Sequence, residues 1–248
     1  YLVPGIPDGL GVMESGKNLK IITNHEWSAT NAVAAGRTTA GGLVSGSFLS
    51  EMTYDVSANK VTKAVDLFKS VVWYDYATGK YGNTPGAPVG ADVKDSYGTL
   101  NHSYLLNRFC SGSLAPAGTF FDAKSGTGTK DALFLAGEEG SDESRAFATN
   151  LTSGQLVQLP AIGLSAWENL IPFPNKGKTT ALFANEDGAA TDSQLWMYAG
   201  TKSKTGTWFE KAGLTNGKSY VLAATADAPV ANDNEIRSKY GKNVPFAV

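Results

Sequence analysis

Short apolar runs that suit β-strands recur along the whole chain. They are four or five residues long and are rich in branched and aromatic side chains, which is typical of strands with a buried face. The segments predicted as strands are Leu19–Thr23, Ala64–Phe68, Ser70–Tyr74, Ala132–Ala136, Ala146–Thr149, Gln155–Gln158, Thr180–Ala184, Leu195–Tyr198 and Ser219–Ala223.

Polar turns that contain glycine separate these runs, as in Glu14-Ser-Gly-Lys, Ala77-Thr-Gly-Lys and Thr215-Asn-Gly-Lys. The order strand, turn, strand recurs without a strict sequence repeat. We interpret it as the antiparallel blades of an all-β propeller, although a β-sandwich would give similar signals. No stretch resembles an interdomain linker, so residues 1–248 are predicted to form one propeller domain or its N-terminal portion.

The composition of the chain argues against several classes of binding partner and site. The formal net charge is only −2, which argues against a nucleic-acid-binding surface. No apolar run approaches the roughly 20 residues that cross a bilayer, so no membrane span is expected. A single cysteine, Cys110, excludes an internal disulfide and a cysteine-rich zinc site.

Acidic residues follow three of the predicted strands almost directly. Glu26 comes after the first run, the pair Glu138-Glu139 after Ala132–Ala136, and Asp187 after Thr180–Ala184. Carboxylates at the ends of neighbouring buried strands would converge and repel unless a cation lay between them, and calcium prefers such oxygen ligands. The alternative is that these acidic residues simply occupy solvated strand ends.

Three further residues could complete such a site. Glu168 lies among apolar neighbours, and His25, beside Glu26, could orient that carboxylate or contact a substrate. Cys110 lies in a Gly/Ser-rich segment near Arg108, where a thiolate ligand would suit iron better than calcium. A lone cysteine is also commonly a small buried apolar residue.

The order of several short motifs resembles that of the PhoX-type alkaline phosphatases. They are Pro7-Asp-Gly, Asn24-His-Glu-Trp, Cys110-Ser-Gly-Ser with Pro116-Ala-Gly-Thr, the pair Glu138-Glu139, Trp167-Glu168, and the strand ending in Glu186-Asp187 before Gln194-Leu-Trp-Met-Tyr. The resemblance implies a propeller with iron and calcium ions that hydrolyses phosphate monoesters.

On this resemblance Cys110 would bind Fe³⁺, and the remaining ligands of iron or Ca²⁺ would be Glu26, Glu138, Glu139, Glu168 and Asp187. Glu168 and His25 are the predicted catalytic residues. Phe109 replaces the family's asparagine before the cysteine, and Trp167 replaces a histidine. Relatives are also longer, so a second chain or a C-terminal part would have to complete the propeller.

Two functions remain open. The first is a secreted, periplasmic or cell-surface phosphomonoesterase, and the second is a non-catalytic, calcium-stabilised propeller that serves as an extracellular surface or assembly module. Another hydrolase, such as a lactonase, could use a similar propeller. The sequons at Asn101 and Asn150 fit an extracellular protein in either case.

Overall fold

The computed structural model describes residues 5–28, 46–83, 105–174, 177–188, 193–224 and 246–247. In these ranges almost all regular structure is β-strand, accompanied by a short α-helix at Trp208–Lys211 and a 3-10 turn at Pro160–Ile162. The all-β prediction is confirmed. Neither helix in the described part of the chain has the length and apolar character needed to span a membrane.

The strands form three main sheets. The first sheet contains β1 (Pro7–Ser15), β2 (Asn18–His25), β3 (Phe48–Asp55) and β4 (Lys60–Asp66), in that order. The second contains β5 (Ser70–Asp75), β6 (Lys80–Gly82), β7 (Phe109–Ala115), β10 (Leu133–Glu138), β11 (Ala146–Asn150) and β12 (Gln155–Gln158). Their order in the sheet is β6-β5-β12-β11-β10-β7. The short strands β8 (Phe121–Asp122) and β9 (Thr127–Gly128) form a separate hairpin. The third contains β13 (Trp167–Phe173), β14 (Thr179–Glu186), β15 (Leu195–Thr201) and β16 (Lys218–Val221), and β17 (Ala223–Ala224) pairs separately with β18 (Phe246–Ala247).

Pairing between the described strands is antiparallel as predicted, except between β5 and β12, which are parallel. Outside the strands, Gly46 and Leu106 form an isolated parallel bridge. Tight turns join neighbouring strands where the sequence places glycine after a polar residue. Gly16 and Gly154 adopt φ values of 63° and 70°, in the left-handed region that glycine enters without a steric penalty.

The central strands β10 and β11 of the second sheet are buried on both faces. Along β10, Leu133 and Leu135 belong to the core shared with the third sheet, whereas Phe134 and Ala136 belong to the core shared with the first. Because successive side chains of a strand point to opposite faces, this continuous apolar run fits a strand between two other sheets.

The strands β1, β7 and β13 are neighbours across the three sheets, since β7 packs against both of the others. We call them the inner strands. Glycine permits their close approach: a Cβ atom on Gly9 of β1 would lie 2.1 Å from the backbone nitrogen of Gly112 on β7. Glycine also permits the approach of β10 to β13, because a Cβ atom on Gly137 of β10 would lie 2.2 Å from the Cβ atom of Trp167.

All of the predicted strand segments overlap observed strands, but one is displaced. The segment Ala64–Phe68 was predicted, whereas β4 runs from Lys60 to Asp66, and Leu67 and Phe68 are buried in the core beyond its end. The apolar pattern gave no strand for β3 or for any of the inner strands.

Candidate metal centre

Each of the three main sheets contributes a similar pair of side chains to one place. One member is the second residue of the inner strand, and the other directly follows the neighbouring strand of the same sheet. The pairs are Asp8 with Glu26, Cys110 with Glu139, and Glu168 with Asp187. We call these six residues the acidic cluster.

Strand register explains this repetition. The residues just before each pair are ladder partners, and the ladder is irregular beside them in every sheet. Such bulges commonly redirect a side chain at a functional site. The ladder partners are Pro7 with His25, Phe109 with Glu138, and Trp167 with Glu186.

Cys110 lies between the inner-strand carboxylates. Its Sγ atom is 3.4 Å from Oδ2 of Asp8 and 3.5 Å from Oε2 of Glu168. Two groups of three ligand atoms, each group with all its atoms within 4.8 Å of one another, share this sulfur. One group is Asp8, Glu26 and Cys110, and the other is Cys110, Glu139 and Glu168.

The strand ends contribute carboxylates that are held by hydrogen bonds. Nη2 of Arg108 is 2.5 Å from Oε1 of Glu26 and 2.7 Å from Oε2 of Glu139. Glu139 is also hydrogen-bonded to the side chain of Asp187. These contacts join the ends of β2, β10 and β14, one strand from each main sheet, at the cluster.

Burial raises the pKa values of two acids in the cluster, Glu26 and Glu139. For Glu26 the loss of solvent is the largest cause; Arg108 opposes it, and the neighbouring carboxylates of Asp8 and Glu168 add to it. Burial likewise raises the pKa of Glu139, and its hydrogen bond with Asp187 raises it further.

Burial also raises the pKa of the Cys110 thiol, and the charges of Glu139 and Asp8 raise it further. In the absence of a cation, the surroundings therefore oppose negative charge on these groups.

The donor set fits metal ions. Five carboxylates supply the oxygen ligands that calcium prefers, and one thiol supplies a ligand suited to iron. A cation among them would favour the ionised carboxylates and so oppose the burial that raises the pKa values of Glu26 and Glu139. The predicted residues Glu26, Cys110, Glu139, Glu168 and Asp187 all lie in this cluster.

The structure places Glu138 elsewhere. Its two carboxylate oxygens each lie 2.7 Å from the guanidinium of Arg145, and both side chains are almost completely buried. The guanidinium carbon also lies 5.2 Å from the ring centre of Trp73. Because Glu138 and Glu139 are consecutive residues at a strand end, they face opposite sides, and Glu138 contributes to folding rather than to the cluster.

His25 also faces away from the cluster. Its ring stacks on Phe48 with the ring centres 4.0 Å apart, and Nε2 lies 2.8 Å from Oγ of Ser50. The catalytic role predicted for His25 stays untested, and its buried position gives that role no support.

Three residues near the centre were not among the predicted ligands or catalytic groups. Asp8 is a cluster member whose sequence signal was the motif Pro7-Asp-Gly. Arg108 pairs with the carboxylates described above. The side-chain amide of Asn24 donates to the backbone carbonyls of Phe109 and Cys110, which fixes β7 beside β2.

Comparison with known proteins gave a match by structure and none by sequence. No protein-family model matches the chain, and no curated protein sequence does. The structure is similar to that of Pseudomonas fluorescens PhoX in complex with vanadate, a transition state analogue, with a TM-score of 0.53 and 10% sequence identity. The chain has the PhoX fold. The β-propeller prediction is therefore confirmed, and the relationship to PhoX is a distant structural one.

The match covers 90% of this chain but only 46% of the PhoX chain. This chain therefore spans about half the length of the PhoX chain that it resembles.

Proposed function

We propose that this chain is a secreted, metal-dependent phosphomonoesterase with iron and calcium in the acidic cluster. The observation that carries the proposal is the convergence of five carboxylates and a thiol from three sheets, in a fold shared with PhoX.

Each part of the cluster has a separate role. Cys110 would hold iron, and the carboxylates of Asp8, Glu26, Glu139, Glu168 and Asp187 would hold iron or calcium. The bound ions would neutralise phosphoryl oxygens and supply an activated oxygen nucleophile. Of the two residues predicted to be catalytic, we retain Glu168, because it lies beside Cys110 in the cluster.

A direct test combines elemental analysis with an activity assay. We expect iron together with calcium in the purified protein, and phosphate release from an aryl phosphate that stops after chelation. The variant Glu168→Gln should lose both activity and bound metal. Glu51→Gln is the matched control, because Glu51 pairs with Lys20 at 3.0 Å outside the cluster. Equal loss in both variants, or wild-type protein without metal, would refute the proposal.

A non-catalytic, calcium-stabilised propeller is the second candidate. The observation that favours it is the position of His25, which was predicted to be catalytic but stacks on Phe48 and contacts Ser50 instead of the acidic cluster. Calcium without iron, with calcium-dependent melting and no phosphate release, would identify this function.

We further propose that the described sheets belong to one propeller domain that a second chain or a C-terminal part completes. Large hydrophobic side chains with high exposure lie in or beside strands of the first and third sheets and, among the described residues, not in the second. Val12 on β1 and Phe173 on β13, for example, are 53% and 54% exposed. Such faces are expected where further blades pack.

The solution mass tests the first form of completion. Analytical ultracentrifugation should show a dimer if the second chain is another copy of this one. A monomer would argue against completion by a second copy and would favour completion by a C-terminal part.

The proposed extracellular location needs evidence other than the sequon at Asn150. That side chain is buried, its Oδ1 accepts from the backbone of Thr152 and Ser153, and its Nδ2 donates to Asp131. Asn101 lies outside the described residues. Glycan analysis should find Asn150 unmodified.

A further inference from the structure

Arg108 occupies a position that recurs in all three sheets. In each sheet, the acidic residue that follows the strand beside the inner strand (β2, β10 or β14) donates its backbone N–H to a carbonyl. That carbonyl belongs to the residue two positions before the inner-strand member of the cluster. The donor–acceptor pairs are Glu26 to Ile6 at 2.8 Å, Glu139 to Arg108 at 2.9 Å, and Asp187 to Ala166 at 2.9 Å. Because isoleucine and alanine make the same bond, the local fold does not require arginine here.

The backbone of Arg108 joins the first two sheets. Its N–H donates to the carbonyl of Trp27 at 3.0 Å, while its own carbonyl accepts from Glu139. Its φ of 44° lies in the left-handed region, which is strained for a residue with a Cβ atom. Strain of this kind persists where surrounding contacts fix the residue, and it is commonly found at functional sites.

The side chain of Arg108 also connects the first two sheets. One nitrogen, Nη2, contacts both Glu26 and Glu139, and Nε donates to the backbone carbonyl of Glu139 at 3.2 Å. Glu26 and Glu139 belong to the two different ligand groups that share Cys110. Arg108 therefore fixes one carboxylate of each group.

We propose that Arg108 is a positioning residue that prepares both ligand groups for cations. It binds Oε1 of Glu26 and Oε2 of Glu139, and these contacts fix the orientation of one carboxylate in each ligand group. Outer-shell hydrogen bonds of this kind hold metal ligands in place. This inference rests on the proposed metal centre, and it assigns a role to a residue that binds neither metal nor substrate itself.

If Arg108 competed with metal ions instead of positioning their ligands, the expected result would be the reverse. If Arg108 were merely a cation that competes with metal, its removal would add net negative charge and tighten cation binding. If it positions the ligands, its removal weakens binding despite the added negative charge.

The experiment is calorimetric titration of the metal-depleted full chain with Ca²⁺ alone. Arg108→Ala gives this position the residue found at Ala166 in the third sheet, and it should lower Ca²⁺ affinity by about 10–100-fold. Arg108→Lys should restore part of the affinity, because one nitrogen makes both carboxylate contacts. Lys20→Ala, which also removes one positive charge, should bind like wild type.

Urea unfolding of each metal-depleted variant separates loss of binding from loss of folding. If Arg108→Ala does not fold, Arg108→Lys becomes the deciding variant, and we expect its affinity to lie below that of wild type. Unchanged or tighter Ca²⁺ binding by the folded Arg108 variant would overturn this inference alone. Absence of Ca²⁺ binding by wild-type protein would overturn the metal centre as well.

Discussion

Glu138 and Glu139 are consecutive residues whose side chains lie in opposite environments. Glu138 forms a closed ion pair in which two oxygens face two nitrogens of Arg145, and the arginine side chain is only 1% exposed. Glu139 shares Arg108 with Glu26, and that arginine side chain is 28% exposed. Both environments combine glutamate with arginine, so residue type does not distinguish them.

The balance of charge and geometry does distinguish them. One carboxylate faces one guanidinium in the buried pair, which satisfies both groups. In the acidic cluster, five carboxylates and a thiol lie beside Arg108, and burial raises the pKa values of Glu26 and Glu139. A closed pair contributes to folding, whereas an excess of acidic groups calls for a further cation.

The largest expected effect comes from breaking the closed pair. Glu138→Gln leaves the guanidinium of Arg145 buried without a counter-charge, and it should lower the free energy of unfolding by about 3–5 kcal/mol. Urea denaturation of metal-depleted protein measures this. Retained stability would show that Arg145 has another means of compensation and that the comparison is wrong.

A change at the contact between inner strands should act on the cluster. Gly9→Ala places a Cβ atom against the backbone of Gly112, so β1 must move away from β7. We expect a loss of about 1–3 kcal/mol in the free energy of unfolding, together with weaker Ca²⁺ binding.

Gly16→Ala is the control for this prediction. Gly16 has a positive φ, but a Cβ atom there would meet no neighbour, so stability should fall without a specific loss of Ca²⁺ binding. Equal Ca²⁺ affinity in the two variants would contradict the importance of the close approach.

Glu139→Gln tests the other half of the comparison. It removes a proposed ligand and should lower Ca²⁺ affinity by at least about tenfold. Metal-depleted protein should lose less stability than Glu138→Gln loses, because Arg108 keeps its contact with Glu26 and is partly exposed. The reverse ranking in urea denaturation would exchange the roles assigned to the two residues.

The smallest effect is a dependence of stability on pH. The pKa values of Glu26 and Glu139 are raised above their usual 4.5, so the folded, metal-depleted protein binds more protons than the unfolded chain. Its stability should therefore fall as pH rises from about 4.5 through the raised pKa values. Melting temperatures across this range measure the slope, which Ca²⁺ or Glu139→Gln should reduce. A slope unaffected by both would assign the titration to other groups.

Much of the sheet structure could be predicted from local pattern. The run Ala132–Ala136 predicted β10, because alternate side chains fill two apolar cores. The three strand ends that lead to Glu26, Glu139 and Asp187 were also visible, since each follows an apolar run. The inner strands were not, because all three carry polar ligands, and β1 and β7 also carry glycines, where an apolar repeat would otherwise appear.

The sequence by itself determined the all-β class, the main apolar strands and most members of the acidic cluster. Only the tertiary structure separated Glu139 from Glu138, added Asp8 and placed Arg108 between two carboxylates. The physical reason is that burial and hydrophobic periodicity are encoded locally along a strand. The partner of a charge is decided by which sheets meet and by the register in which their strands pair.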